Sequence, residues 1–197
     1  ITGTSIGAIN GAMIAQGSAQ EAWELWNSLE FRTVFDMNES VVEYLTFDRN
    51  LQSIPLWIQN GLRIVHDRGF DITPLRRLLR ERIDEDRLRK AGVHFGLTTI
   101  NLSKRRIEQP FLDEMPKGTV HDYLMASAYM AGFRSEPLFG DYYLDGAYYD
   151  NLPWRMLTRI GCKDLTVIRI QGGGRIVWPP PADTKTFVIE PSEELPD

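Results

Sequence analysis

The sequence predicts an α/β protein in which a mainly parallel sheet is sandwiched between helices. Short β-branched and apolar runs (93–100, 141–144, 165–170 and 186–189) alternate with segments whose apolar residues recur every three or four positions. Such alternation is how a parallel sheet covered on both faces reads in sequence. The opening Ile1-Thr2-Gly3-Thr4-Ser5-Ile6-Gly7 reads as the end of a strand that turns directly into a helix. At 197 residues, 43% hydrophobic and 25% charged, the chain has the make-up of one packed domain, and we treat 1–197 as a single unit.

Taken in order, Ile6, Ile9, Ala12 and Met13 give a buried helix over about 5–16, which Gly17 is suited to stop. Ser18 and Glu21 form a capping box for a second helix with Ala22, Leu25, Trp26 and Leu29 on one face. The weakly patterned stretch 31–68 reads as mostly helix. Thr73-Pro74 reads as an N-cap and first-turn proline, followed by the stripe Leu75, Leu78, Leu79, Ile83 and an outer face of Arg76, Arg77, Arg80 and Arg82. The strand at 93–100 has a hairpin partner in 105–112. Thr119 caps a helix to about Tyr129, and Pro153 opens another that Gly161 closes. Trp178-Pro179-Pro180-Pro181 is a stiff connector.

The net charge of −5 gives no footprint for a phosphate backbone, so nucleic acid is not an expected partner. The single cysteine, Cys162, cannot form an internal disulfide. With His66, His94 and His121 it offers no metal-ligand spacing, so structural zinc is not expected. No apolar run is long enough for a membrane span, and the N-terminus does not read as a signal peptide.

Gly3-Thr4-Ser5-Ile6-Gly7 fits the GxSxG nucleophile elbow, with a serine on a sharp strand-to-helix turn. Gly3 is expected to permit the turn and Gly7 to let the helix pack closely on the neighbouring strand. The helix N-terminus adds partial positive charge where an oxyanion would form. A serine needs a base, and no histidine follows His121, so a triad ending in a C-terminal histidine cannot be assembled from this chain. The better candidate is Asp145, in Tyr143-Leu144-Asp145-Gly146-Ala147. Partly buried beside Ser5, it would have the raised proton affinity a base requires, with Gly146 and Ala147 keeping the approach open. Read alone, Asp145-Gly146 is equally a common turn dipeptide.

Gly3 to Asn10, together with Asp145-Gly146-Ala147 and Asp150-Asn151-Leu152-Pro153, resembles the patatin-like phospholipases, which use a Ser-Asp dyad. The strand 95–101 and the element Ala126-Ser127-Ala128 resemble the family's core between those motifs. The resemblance implies a lipid acyl hydrolase that requires no metal or cofactor: Ser5 as nucleophile, Asp145 as base, an acyl-serine intermediate, and a phospholipid or other acyl ester as substrate. It also implies a nucleophile strand and a glycine-rich oxyanion loop upstream. The chain is therefore expected to be an N-terminally truncated fragment, weakly active or inactive alone. Gln171-Gly172-Gly173-Gly174-Arg175 has the composition of such a loop but follows the aspartate.

Apolar residues between Val41 and Val65 suit a lid or acyl-chain wall, although core packing is the commoner use. The basic cluster Arg76 to Lys90 suits transient contact with anionic headgroups or a solvated face, and a cytoplasmic or membrane-peripheral location is expected. Two other readings stay open: a non-catalytic lipid-binding module on the same scaffold, and a histidine-dependent esterase whose base lies outside this chain.

Overall fold

Strand β2 (Gly96–Asn101) organises the fold in the computed structural model, which describes residues 1–28, 71–170 and 173–193. On one edge of β2, β3 (Arg106–Glu108) returns antiparallel, and the pairing continues through a bridge between Gly96 and Phe111. On the other edge two short strands meet end to end. β1 (Thr2–Thr4) runs parallel, with Thr2, Gly3 and Thr4 opposite Gly96, Leu97 and Thr98. β4 (Tyr143–Asp145) runs antiparallel, with Asp145, Leu144 and Tyr143 opposite Thr99, Ile100 and Asn101. Gly96 pairs with both Thr2 and Phe111, and Thr99 with both Asp145 and Glu108, so β1 and β4 share the edge that β3 leaves free.

The α/β class expected from the sequence holds, with parallel and antiparallel pairings mixed around β2. Successive side chains of a strand point to opposite faces, and each face of β2 meets helix. Thr99 Oγ1 donates to the carbonyl of Ala126 at 2.8 Å, at the end of α5 (Val120–Ser127). Thr98 Oγ1 instead faces Met156 Sδ at 3.9 Å, on α6 (Trp154–Arg159). Helix α1 (Ile6–Ala15) packs on the α5 side, burying Ala8, Ile9, Ala12 and Met13 with Phe95, Leu97 and Leu124. It ends as predicted. Gly17 takes φ 83°, Ser18 N–H donates to Met13 O and Gly17 N–H to Ile14 O, which satisfies the last carbonyls.

Several local expectations change. Ahead of α2 (Ala19–Ser28), the buried Ser18 hydroxyl accepts from Gln16 Nε2 at 3.2 Å, and no reciprocal bond to Glu21 forms. Helix α3 (Thr73–Arg82) has Ile72 at the cap position, not Thr73. The Asp71 carboxylate accepts Thr73 N–H at 2.9 Å and its hydroxyl at 2.7 Å, bonds that hold Asp71 below the usual carboxylate range. Asp84 caps α4 (Glu85–Lys90) through Arg87 N–H at 3.0 Å. The strand predicted at 165–170 is β5 (Asp164–Ile168), paired in parallel with β6 (Lys185–Ile189) as a separate two-stranded sheet among the described residues. Only Leu165 and Val167 of β5 are buried, against Trp154, whereas Ile168 is 63% exposed. The helical reading of 31–68 lies outside the described residues.

Candidate active site

Ser5 stands between β1 and α1 with φ 56° and ψ −127°, a backbone conformation that an L-residue holds at a cost of about 1–3 kcal/mol. Gly3 makes this turn possible. A Cβ there would fall 2.2 Å from the carbonyl oxygen of Gly7 and 2.6 Å from Ala8 N, both backbone atoms that cannot rotate away. Gly7 differs from its expected role, because a Cβ on it meets nothing within 4 Å. The close approach is between the backbones of residues 3 and 7, and only Gly3 needs to lack a side chain. Gly7→Ala is accordingly expected to melt at or above the wild-type temperature, with a gain of up to about 1 kcal/mol from the better helix former. A thermal melt checks this, and a clear loss of stability would speak against it.

The sheet register brings Asp145 to Ser5. Thr4 lies opposite Thr98 and Asp145 opposite the next residue, Thr99, so the residue leaving β1 and the residue ending β4 meet where the two strands abut. Asp145 is 4% exposed. Its Oδ1 accepts the Ala147 N–H at 2.7 Å, and Ser5 lies near enough for its hydroxyl to favour the charged carboxylate. Burial pushes its proton affinity above the ordinary carboxylate value, and the nearby Ser5 hydroxyl and the Ala147 N–H offset only part of that rise. Gly146 carries no positive φ that would mark it as a turn glycine. A Cβ there would lie 2.1 Å from the Thr98 carbonyl oxygen, so it is glycine because the loop backbone rests directly on β2. Ala147 contributes its amide.

The following loop is tied to the nucleophile strand. Thr4 Oγ1 donates to the Asp150 carbonyl at 2.8 Å and Thr2 Oγ1 to the Pro153 carbonyl at 3.1 Å. Asp150 is fully buried. Its Oδ1 accepts Leu152 N–H at 3.3 Å, its Oδ2 has no hydrogen-bond partner among the described residues, and burial raises its proton affinity. The glycine-rich run braces this loop from outside. Arg175 N–H donates to Ala147 O and Asn151 N–H to Arg175 O, both at 2.8 Å, and Gly174, at φ 125°, leaves no room for a Cβ, which would sit 2.9 Å from Ala147 O. The Arg175 amide is thus occupied by the aspartate loop.

The model of the patatin-like phospholipase family matches residues 1–158. The chain belongs to the patatin-like phospholipase family. A lipid acyl hydrolase is what that membership implies at the level of the family. A comparison with curated proteins found no match.

In this patatin-like chain the described histidines stand apart from Ser5. His94 is exposed and precedes β2 at the end where β1 begins, so about four residues of strand, roughly 13 Å, separate it from the level of Ser5. His121 Nε2 is paired with the Ile83 carbonyl at 2.8 Å, and His66 lies outside the described residues. A cavity of about 700 Å³ lined by His94, Gln109, Phe111, Glu114, Tyr149 and Arg159 includes neither Ser5 nor Asp145. The proposed acyl-chain wall at 41–65 is also outside the described residues. Of the basic cluster, Arg76 pairs with Glu136 at 2.9 Å, and Arg89 pairs with Glu85 at 2.7 Å and donates to the carbonyls of Leu112 and Met115, so these two hold the fold together. Arg77, Arg80 and Arg82 are exposed. No helix among the described residues is long and apolar enough to cross a membrane.

Sequence reasoning missed Ser127 as a site residue. It is fully buried, and its Oγ accepts the Ser5 N–H at 3.0 Å. The available signal was a serine in the last turn of an otherwise apolar helix end, whose hydroxyl had to find a partner.

Proposed function

We propose that this chain carries the Ser-Asp dyad of a serine acyl hydrolase that cleaves phospholipid or related acyl esters. The observation that supports it best is the junction of β1 and β4 on one edge of β2, where the end of the strand before Ser5 adjoins the buried, raised-affinity carboxyl of Asp145. In this reading Ser5 Oγ attacks the ester carbonyl carbon as its proton passes to Asp145. The oxyanion forms at the N-terminus of α1, where the Ile6 N–H is without an acceptor among the described residues. Collapse of the tetrahedral species breaks the bond to the leaving alcohol, which takes the proton from Asp145. Water then attacks the acyl-serine and loses a proton to Asp145. That proton returns to Ser5 as the fatty acid departs.

A fluorophosphonate probe, which phosphonylates activated serines, tests this in the full-length protein. Labelling that maps to Ser5, with hydrolysis of a phospholipid or short-chain ester that disappears in Ser5→Ala, is the expected result. A folded protein that binds lipid but is neither labelled nor hydrolytic would favour a binding module.

A further inference from the structure

We infer that Ser127 is the positioning residue of the nucleophile. This rests on the hydrolase reading above and adds a part to it. The register explains why a hydroxyl is needed. Gly96 N–H donates to Ile1 O, and in a parallel ladder each residue of that phase bonds the residues before and after its partner. Two residues further on, the same phase places the next rung between Ser5 N–H and the Thr98 carbonyl. Ser5 has left the strand conformation at φ 56°, and a direct bond from Ser5 N–H to Thr98 O is absent from the backbone hydrogen bonds of the described residues. The Ser127 hydroxyl is inserted into it. Its Oγ accepts the Ser5 N–H at 3.0 Å and donates its only proton to Thr98 O at 2.8 Å.

A serine at the end of a helix ordinarily bonds back to a carbonyl of its own helix. Ser127 reaches across to β2 instead, from a fully buried position. The same turn of chain holds the other member of the pair, because Asp145 N–H donates to the Tyr129 carbonyl at 2.8 Å, while Thr99 Oγ1 donates to Ala126 O. Residues 126–129 thereby grip β2, the elbow and the aspartate together, and among the described residues the side chain of Ser127 makes that segment's hydrogen bond to Ser5. Because the Ser5 amide is committed to Ser127, the elbow's oxyanion donor falls to Ile6. Without the hydroxyl, Ser5 N–H loses its acceptor at 3.0 Å and Thr98 O loses its donor at 2.8 Å. Relaxation of the elbow to pair them would move Oγ away from Asp145.

The test compares full-length wild type with Ser127→Ala, Ser127→Cys and Val120→Ala. The readouts are the rate of fluorophosphonate modification at Ser5, kcat and KM for an acyl ester, and thermal melts. Ser127→Ala is expected to slow labelling and lower kcat together by about 10- to 100-fold, the cost of a misplaced reacting group, with KM unchanged. Ser127→Cys refills the volume with a weak donor and acceptor. It should be slowed to a similar degree while melting closer to wild type. Val120→Ala removes a fully buried side chain at the opposite end of the same helix, seven residues before Ser127. It should melt lower yet label at the wild-type rate. Wild-type labelling rates in Ser127→Ala or Ser127→Cys, or equal slowing in Val120→Ala, would overturn the assignment while leaving the hydrolase reading in place. A wild-type protein unlabelled at Ser5 would sink the hydrolase reading, and this inference with it.

Discussion

Asp145→Asn is expected to reduce ester turnover by about 10³-fold or more while making the protein more resistant to heat at neutral pH. The first effect follows from removing the group that takes the Ser5 proton. The second follows from burial. Asp145 has a higher proton affinity in the folded protein than in the unfolded chain, because its charged form is poorly solvated. The stability associated with such a group is fully present below the unfolded carboxylate value, about 3.9, and is lost as pH rises through the higher folded value. Asparagine keeps an oxygen for the Ala147 N–H and carries no charge at any of these pH values. The melting temperature of Asp145→Asn should therefore match wild type in acid and exceed it increasingly toward neutrality. Melts from pH 3 to 7 beside ester assays read both effects. Retained turnover would point to another base, and a neutral-pH loss of stability would mean the carboxylate is held by more than the Ala147 N–H and the nearby Ser5 hydroxyl.

The second large effect is expected at Gly146, where alanine should cost more than the about 1–3 kcal/mol typical of an overpacked site. The added Cβ would fall 2.1 Å from the Thr98 carbonyl oxygen, 2.6 Å from its carbon and 2.9 Å from Thr4 Cγ2. Two of these are backbone atoms of the central strand, so relief requires β4 to move off β2. Asp145 then leaves Ser5, because their adjacency is a consequence of that pairing. Gly146→Ala should yield little soluble protein or melt far below wild type, without labelling at Ser5. A variant that melts and labels normally would return Asp145-Gly146 to the ordinary turn its sequence also permits.

The strand-to-helix elbow was legible in the sequence for a local reason. A glycine before a serine at a strand-to-helix boundary is a steric statement about three or four residues, and Gly3 against Gly7 O bears it out. The periodicity of α1 and its Gly17 stop were legible for the same reason. What was not legible is non-local. Nothing in the sequence of β1 or β4 says that they abut on one edge of β2, and that junction is what makes Ser5 and Asp145 neighbours. Gly7 was misjudged because a motif position does not reveal which of two approaching backbones lacks the room. The glycine run 172–174 looked like an oxyanion loop by composition, whereas Gly174 and Arg175 serve to back the aspartate loop. Thr73 lost its expected cap role because Ile72 holds the cap position and the Asp71 carboxylate takes both the Thr73 N–H and its hydroxyl, a competition that sequence spacing leaves undecided.

Trapping the intermediate reaches the central claim most directly. Full-length protein, quenched in acid during turnover of an acyl ester and digested, is analysed by mass spectrometry for a peptide heavier by one acyl group. The dyad predicts that mass on the peptide bearing Ser5, absent in Ser5→Ala. Steady turnover with Ser5 never acylated, or an acyl group on a different residue, would contradict it.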